Sequence, residues 1–391
     1  MIGFFALFAT FKPMYSEPSI STEVEKTKIS SDVIYISSVS IKGKKTSIAP
    51  GCILGEEGPV ILENCRLGRN VRLKGGYFKD AVFLDYASMG TGAHVREGTL
   101  LEEYASGAHT VGLKQTILFP YVTTGSLINF CDGFISGGTD CTNHSEIGSS
   151  YVHFNYTPNQ DKATASLFGD VARGVFLQEN PIFLGGQGGT VGPVKVAFGS
   201  VIAAGTILRK DIVTENRFII EPSLKPTERP CQLPRYSGLK RIVTNNISYI
   251  GNLYALQAWY QQVRLKTVRD LFDESVYAGA VELIEESIQE RVRRLEALRE
   301  RVASSHNENQ LGLNDLELQY QQRFIKHWKV LRKRLLKPSI EAPLHLTGAF
   351  SPKEEYIETI QKLSEEVRSV GTIWLSAIVR EIEDKLESLY E

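Results

Sequence analysis

The chain has 391 residues, a formal net charge of −1 at pH 7 and 42% hydrophobic residues. A balance this close to neutral excludes a global electrostatic pull toward nucleic acid or an acidic membrane, and the length predicts two or three domains. The five cysteines, Cys52, Cys65, Cys131, Cys141 and Cys231, show no CxxC spacing; an odd, scattered set fits reduced, buried thiols in a cytoplasmic protein rather than a disulfide framework or a zinc site.

The chain opens on a short apolar run, Ile2 to Ala9. It lacks a basic flank and a small-residue cleavage site and is too short to span a bilayer, so a start-site extension or docking segment is expected. No transmembrane helix is expected elsewhere.

From Ile48 to Leu208 the apolar positions recur every six residues: Ile48, Leu54, Val60; Leu67, Leu73; Met89, Val95, Leu101; Val122, Ile128; Ile135, Cys141, Ile147; Val171, Leu177, Phe183; Val196, Ile202, Leu208. Short insertions reset the phase. Neither a helix nor a simple strand requires a period of six, whereas a β-solenoid that turns once per fixed number of residues does. Of the 33 glycines, 26 lie between Gly43 and Gly205, as tight corners with positive φ demand. Pro222, Pro226, Pro230 and Pro234 then predict an extended connector.

Beyond the prolines the pattern becomes helical. Val281, Ile284, Ile288, Val292, Leu295 and Leu298 recur at three and four residues. A second helix is predicted from Asp315 to Leu336, burying Leu318, Phe324, Trp328, Leu331 and Leu335. A third is predicted to begin at Ser351-Pro352-Lys353-Glu354, with Ser351 as N-cap and Glu354 closing a capping box. Breaks at 304–314 and 338–350 favour a bundle over an intermolecular coiled coil. Tyr249, Tyr254, Trp259 and Tyr260 are predicted to pack over the open end of the solenoid. The expected organisation is an N-terminal extension (1–40), a β-helix domain (41–213), a connector (214–247) and an α-helical domain (248–391).

Several groups invite a functional reading. Arg66, Arg69, Arg72, Lys74 and Lys79 form a basic cluster, read as a solvated face with an anion-binding surface as the sharper option. Gly185-Gly186-Gln187-Gly188-Gly189-Thr190 is either a nucleotide-lining loop or a flexible link, and no P-loop lysine follows it. His94, His109, His144 and His153 lack short metal-ligand spacing, so no metal is predicted. Asp132 and Asp140 read as turn residues. The segment 157–174 breaks the repeat and is expected to project.

The six-residue period resembles that of the hexapeptide-repeat left-handed β-helix family, many of whose members are trimeric acyltransferases. Within it, the stretch from Ala93 to Asp211 is similar to the acetyltransferase domain of the bifunctional UDP-N-acetylglucosamine pyrophosphorylase/glucosamine-1-phosphate acetyltransferase. Four matches carry this: Ala93-His94-Val95-Arg96-Glu97-Gly98; Val111-Gly112-Leu113-Lys114; Asn155-Tyr156 followed by Lys162; and Val201-Ile202-Ala203-Ala204-Gly205-Thr206 followed by Arg209-Lys210-Asp211. The resemblance implies a left-handed parallel β-helix followed by a C-terminal α-helical domain, assembled as a homotrimer, in the cytoplasm, with no nucleic-acid or membrane partner. It assigns phosphate binding to Arg96 and Lys114, acceptor contacts to Asn155, Tyr156 and Lys162, and the acetyl-CoA surface to Ala203, Ala204 and Gly205. Small residues let a pantetheine arm approach the backbone, and Arg and Lys supply the fixed cations a sugar phosphate needs.

Two departures qualify it. The family's histidine general base falls on Ser126 here, and serine cannot replace a base that works near neutrality. His144, in an inserted stretch, and His153 are the candidates to take over that role; a non-catalytic sugar-nucleotide-binding or scaffold protein is the alternative. Nor do the residues before the repeat resemble a pyrophosphorylase domain, so nucleotidyl transfer is not expected.

Overall fold

A computed structural model of the protein describes residues 17–155, 162–221, 225–228, 236–305, 313–335, 338 and 340–386. Its first part is a left-handed parallel β-helix of about eleven turns over residues 19–219. Each turn lays three short strands on three sides of a prism, here faces A, B and C in chain order. Inward side chains stack from rung to rung, as the parallel register requires.

On face A the inward column runs Ile41, Leu62, Phe78, Val95, Leu113, Phe130, His153, Thr190 and Leu208. On face B it runs Ile48, Leu67, Phe83, Leu101, Leu118, Ile135, Phe168 and Val196. On face C it runs Tyr35, Leu54, Leu73, Met89, Gly107, Thr124, Ile147, Leu184, Ile202 and Ile219.

These columns explain where the six-residue reading slipped. Leu184 points inward where the pattern favoured Phe183, which is exposed; Val60, Val122 and Ile128 are buried as the pattern requires, but the register columns run through Leu62, Thr124 and Phe130, two residues further on. Some turns take five residues from face A to face B, as from Phe78 to Phe83, and Thr124, His153 and Thr190 interrupt the columns with polar side chains. Cys141 is exposed on an antiparallel hairpin, Gly138–Asp140 with Asn143–His144, and Val171 sits in the short helix α1 (Val171–Gly174). Among the described cysteines, Cys52, Cys65 and Cys131 are buried and free. The solenoid also begins earlier than expected: Ser19–Ile20 already pairs with Ser40–Ile41.

Face B differs from the others. Its strands are buried on both sides: Ala81-Val82-Phe83, Thr99-Leu100-Leu101 and Ser166-Leu167-Phe168 have no exposed residue. Continuous apolar runs of this kind mark a parallel sheet covered on its outer side. The cover is the helical domain: α2 (Leu239–Gln262), α3 (Leu271–Ser305), α4 (Asp315–Arg334), α5 (Leu344–Thr347), α6 (Tyr356–Lys362) and α7 (Glu365–Asp384).

Helix α2 runs along this flank, from Asn245, whose Nδ2 donates to Asp211 at 2.9 Å, to Tyr260, whose hydroxyl donates to Glu102 at 2.6 Å. The aromatic cluster therefore seals the side of the prism rather than its end. Tyr249 and Tyr260 are buried beside solenoid carboxylates, whereas Tyr254 and Trp259 donate into the bundle, to Leu335 O and Tyr356 Oη. Helix α3 carries the predicted apolar stripe against faces of the solenoid and α4.

The helix starts partly differ from expectation. The capping box belongs to α4, where Asn314 and Glu317 bond reciprocally. At the predicted third helix, Ser351 Oγ accepts from Lys353 N in a turn, and α6 begins only after Glu355. Of the connector, Pro226 is exposed without regular structure, while Pro222, Pro230 and Pro234 lie outside the described residues, as do Ile2 to Ala9 and Cys231. No described helix is long and apolar enough to cross a membrane.

Candidate functional site on face A

Face A alternates, so its outer residues are available. In Ala93–Val95 only His94 is exposed. Parallel register places His94 beside Gly112, and Gly112 beside Asn129. Two residues further along each strand, Arg96, Lys114 and Cys131 form a second outer row. Rungs are about 4.8 Å apart and alternate residues of a strand about 6.6 Å apart, so six positions make a small grid.

The centre of that grid is empty of side chain. A Cβ at Gly112 would meet only Ile128 O, at 3.5 Å. His94 therefore borders a hollow on one side, Asn129 on the other and Lys114 along the strand. The His94 ring packs over Tyr77, with centroids 5.2 Å apart and planes inclined by 35°.

The cations differ in their engagement. Lys114 Nζ lies 2.5 Å from Glu97 Oε1. Burial raises the Glu97 carboxyl pKa, but the Lys114 hydrogen bond, a backbone N–H and the charges of Lys114 and Arg96 together outweigh it and hold the group below its ordinary range. Arg96 Nη2 is 4.0 Å from Cys131 Sγ, and Arg96 Nε is buried without a hydrogen-bond partner. Burial, with Asp132 adding to it, pushes the Cys131 thiol up to about 11, so a neutral thiol faces the guanidinium. A buried guanidinium N–H with nothing to donate to suits an anion.

The other expected site residues scatter. Asn155 follows Phe154 on the next rung of face A, above Asp132; Tyr156 lies outside the described residues, and Lys162 rejoins the solenoid just before Ala163. Ala203 is half-buried, and Ala204 and Gly205 are exposed, at the corner from face C to face A in the late rungs. Nothing lies within 4 Å of a Cβ at Gly205. Ser126 occupies the same kind of corner earlier, its backbone N–H donating to Ser149 Oγ at 3.1 Å.

His144 sits on the hairpin over face C, with Nδ1 3.3 Å from Thr123 Oγ1 and 3.2 Å from Ser145 O. Within one chain it is on a different face from Lys114. His153 points into the core, between Phe130 and Thr190 in the column, and Nε2 lies 2.8 Å from Ser166 Oγ. Only 1% of it is exposed, and burial pushes it down to about 4. A base must reach the proton it removes, so His153 is a core residue.

The remaining groups resolve into structure. Each cation of the basic cluster has a carboxylate: Arg66 with Glu282, Arg69 with Asp270 and Asp273, Arg72 with Glu56, Lys74 with Glu57 and Lys79 with Glu63. The glycine-rich stretch is a corner and a strand rather than a loop. A Cβ at Gly185 would lie 2.4 Å from Ala204 N and one at Gly188 2.8 Å from Thr206 O, so successive coils stack too closely for side chains. Asp140 caps its hairpin by accepting from Thr142 N at 2.8 Å, and Asp132 has a left-handed φ of 58°. No group of three His, Cys, Asp or Glu among the described residues could hold a metal ion.

The sequence reading missed the Gly112 hollow and the ionic seam under the helices. In the seam, Arg264 is fully buried, 2.7 Å from Glu103, with its guanidinium carbon 3.6 Å from the Tyr356 ring centre. The hollow had a faint signal: once the rungs are counted, Gly112 falls between His94 and Asn129.

The fold defines a left-handed parallel β-helix protein with a helical flank added along one face, and its outer face A sets Arg96 beside Lys114. The chain is 24% identical over 185 residues to the bifunctional protein GlmU of Thermotoga maritima, which covers 47% of this chain and 37% of that protein. It is 28% identical over 186 residues to GlmU of Geotalea uraniireducens and 29% over 185 to that of Pelobacter propionicus, covering 47% of this chain and 36% of each. The chain thus spans little more than a third of the length of these curated relatives. No family model matches.

Proposed function

We propose that this protein is a sugar-phosphate or sugar-nucleotide acyltransferase that uses an acyl-CoA, acetyl-CoA in the first instance, in chemistry related to UDP-N-acetylglucosamine formation. The observation that carries the reading is the juxtaposition of Arg96 and Lys114 on neighbouring rungs beside the Gly112 hollow. Arg96 offers a planar fork and Lys114 a point charge to the phosphate, and the sugar lies over Gly112. Asn155 contacts the acceptor from the rung above, and Tyr156 and Lys162 supply further acceptor contacts. Ala203, Ala204 and Gly205 present a low, exposed corner to the pantetheine arm. The similarity to GlmU proteins supports the same assignment.

The assembly proposed is a homotrimer. Face B is sealed by the chain's own helices, so contacts between copies use faces A and C, which leaves the Arg96–Lys114 row at or near a subunit boundary.

Ser126 favours a second reading, a protein that binds the sugar nucleotide without turnover. One experiment separates the two: thermal-shift titration with acetyl-CoA, UDP-N-acetylglucosamine and glucosamine-1-phosphate, followed by an acetyl-transfer assay. A ligand that binds only the folded state raises the midpoint. Stabilisation by acetyl-CoA together with turnover supports the enzyme; stabilisation by a sugar ligand alone supports the binding protein; no response to any of them removes both.

A further inference from the structure

We propose that His94 is the general base of the acyl transfer, taking the proton of an acceptor amine seated in the hollow over Gly112. This rests on the acyltransferase reading above. It supplies the one chemical group which that reading lacks once Ser126 stands at the expected position.

The geometry is the argument. His94 is exposed on face A and precedes Arg96 by two residues, so both project from the same side of one strand. The next rung has no side chain beside His94, because Gly112 is there, and a Cβ at that point would meet only one atom within 4 Å. A sugar with its phosphate on Arg96 and Lys114 spreads over that gap. In a 2-amino sugar 1-phosphate the amine and the phosphate ester sit on adjacent carbons, so fixing one brings the other beside the hollow's rim. The Tyr77 ring under His94 orients the imidazole. The charged and titratable groups around it are Tyr77 on the preceding rung, Arg96 and Glu97 on its own strand segment, and Lys114 on the following one.

The other described histidines of the solenoid are less suited. His144 lies over face C, and His153 is inside the core. His109 is exposed at the corner before Val111, outside the grid.

The step balances without any further reagent. The amine nitrogen forms a bond to the acyl carbonyl carbon, His94 accepts the amine proton, and the carbon–sulfur bond of the thioester breaks. The departing thiolate then takes the proton from the imidazolium, leaving amide, thiol and neutral histidine.

The test compares full-length wild type, His94→Asn, His94→Ala and His109→Ala. It reads kcat for acetyl transfer from acetyl-CoA to glucosamine-1-phosphate between pH 5 and pH 9, and stabilisation by glucosamine-1-phosphate in a thermal shift. The expected result for both His94 variants is a kcat loss of about 100-fold or more, with the sugar-phosphate shift retained and the acidic limb of the rate profile gone. Added imidazole partly restores His94→Ala, and His109→Ala stays near wild type. A His94→Asn protein within a few-fold of wild type overturns the proposal while leaving the acyltransferase reading intact, and so does a loss confined to His109→Ala. A wild-type protein that binds sugar phosphate but never turns over overturns both, as does one that binds neither ligand.

Discussion

Arg291 of α3 donates to Asp132 at 2.9 Å, and both side chains are buried where the helical domain meets the corner between faces A and B. Thr164 also donates to this carboxylate, at 3.2 Å. One ion pair therefore ties the middle of the solenoid, the repeat-breaking segment that carries Thr164 and the long helix together. Removing one partner of a buried pair strands the other charge, which typically costs about 3–5 kcal/mol. Arg291→Ala should lose stability of that order in urea denaturation, whereas Arg291→Ala combined with Asp132→Asn should recover a large part of it. Equal stability of the single and double variants would show that Asp132 left without Arg291 is not a costly stranded charge.

A pH response follows from two buried groups with opposite signs. Burial, reinforced by Glu103 and opposed by Arg264, pushes the Glu102 carboxyl up to about 7 from 4.5. Between those values the folded chain keeps a proton that the unfolded chain has lost, so this group makes stability fall as pH rises and level off above 7. His153 goes the other way: burial lowers it from 6.5 to about 4, so its contribution is lost as pH falls through that interval. The two slopes oppose each other where the intervals overlap. Glu102→Gln keeps an acceptor for Tyr260 and should gain roughly 1–3 kcal/mol over wild type above pH 7. His153→Leu should flatten the acid side of the stability profile. Parallel curves for all three proteins in urea titrations from pH 4 to 8 would contradict both assignments.

The corner glycines allow a paired test. Gly185→Ala forces a Cβ to 2.4 Å from Ala204 N, a backbone atom fixed by the next coil. Overpacking of that kind costs about 1–3 kcal/mol. Gly205→Ala meets nothing within 4 Å but must adopt a φ of +73°, for about 1–2 kcal/mol. Chemical denaturation of the two variants should therefore both show losses, and only Gly185→Ala should disturb neighbouring coils in hydrogen exchange.

Glu97 holds Lys114 at 2.5 Å, and on the proposed function it would compete there with the phosphate. On the proposed function, Glu97→Gln should tighten sugar-phosphate binding by about 2- to 5-fold, since the pair is partly exposed and its contribution is below about 1 kcal/mol. Arg96→Ala should weaken the same binding by at least about 10-fold, the scale of a hydrogen bond to a charged group. Calorimetric titration measures both; weaker binding by Glu97→Gln would argue that Glu97 itself contacts the sugar.

Face B predicts the behaviour of a truncated chain. Val82, Leu100, Ile117, Phe134 and Leu167 form its outer column and are all buried under helices. A protein ending at residue 221 would expose that stripe on a sheet whose other features remain intact. It should aggregate or bind a hydrophobic dye in light-scattering and fluorescence assays, while the full chain does neither.

The sequence alone determined that this chain winds into a solenoid and then changes to helices, because period and composition are local properties. Arg96 and Lys114 were singled out by the resemblance of their segments, and it is the strand register that sets them side by side on neighbouring rungs. The sequence could not decide what covers what. The runs Ala81-Val82-Phe83 and Thr99-Leu100-Leu101 carried the signal of a two-sided face, yet the partner lies some 200 residues away along the chain, in α2 and α3. Whether His153 faces substrate or core depended on a one-residue phase, and a slip of one residue in a strand exchanges inside for outside. The hollow over Gly112, the seating of Arg264 against Glu103 and the burial of Arg291 on Asp132 were decided only by tertiary structure, because each depends on the distance between segments that the chain order does not set.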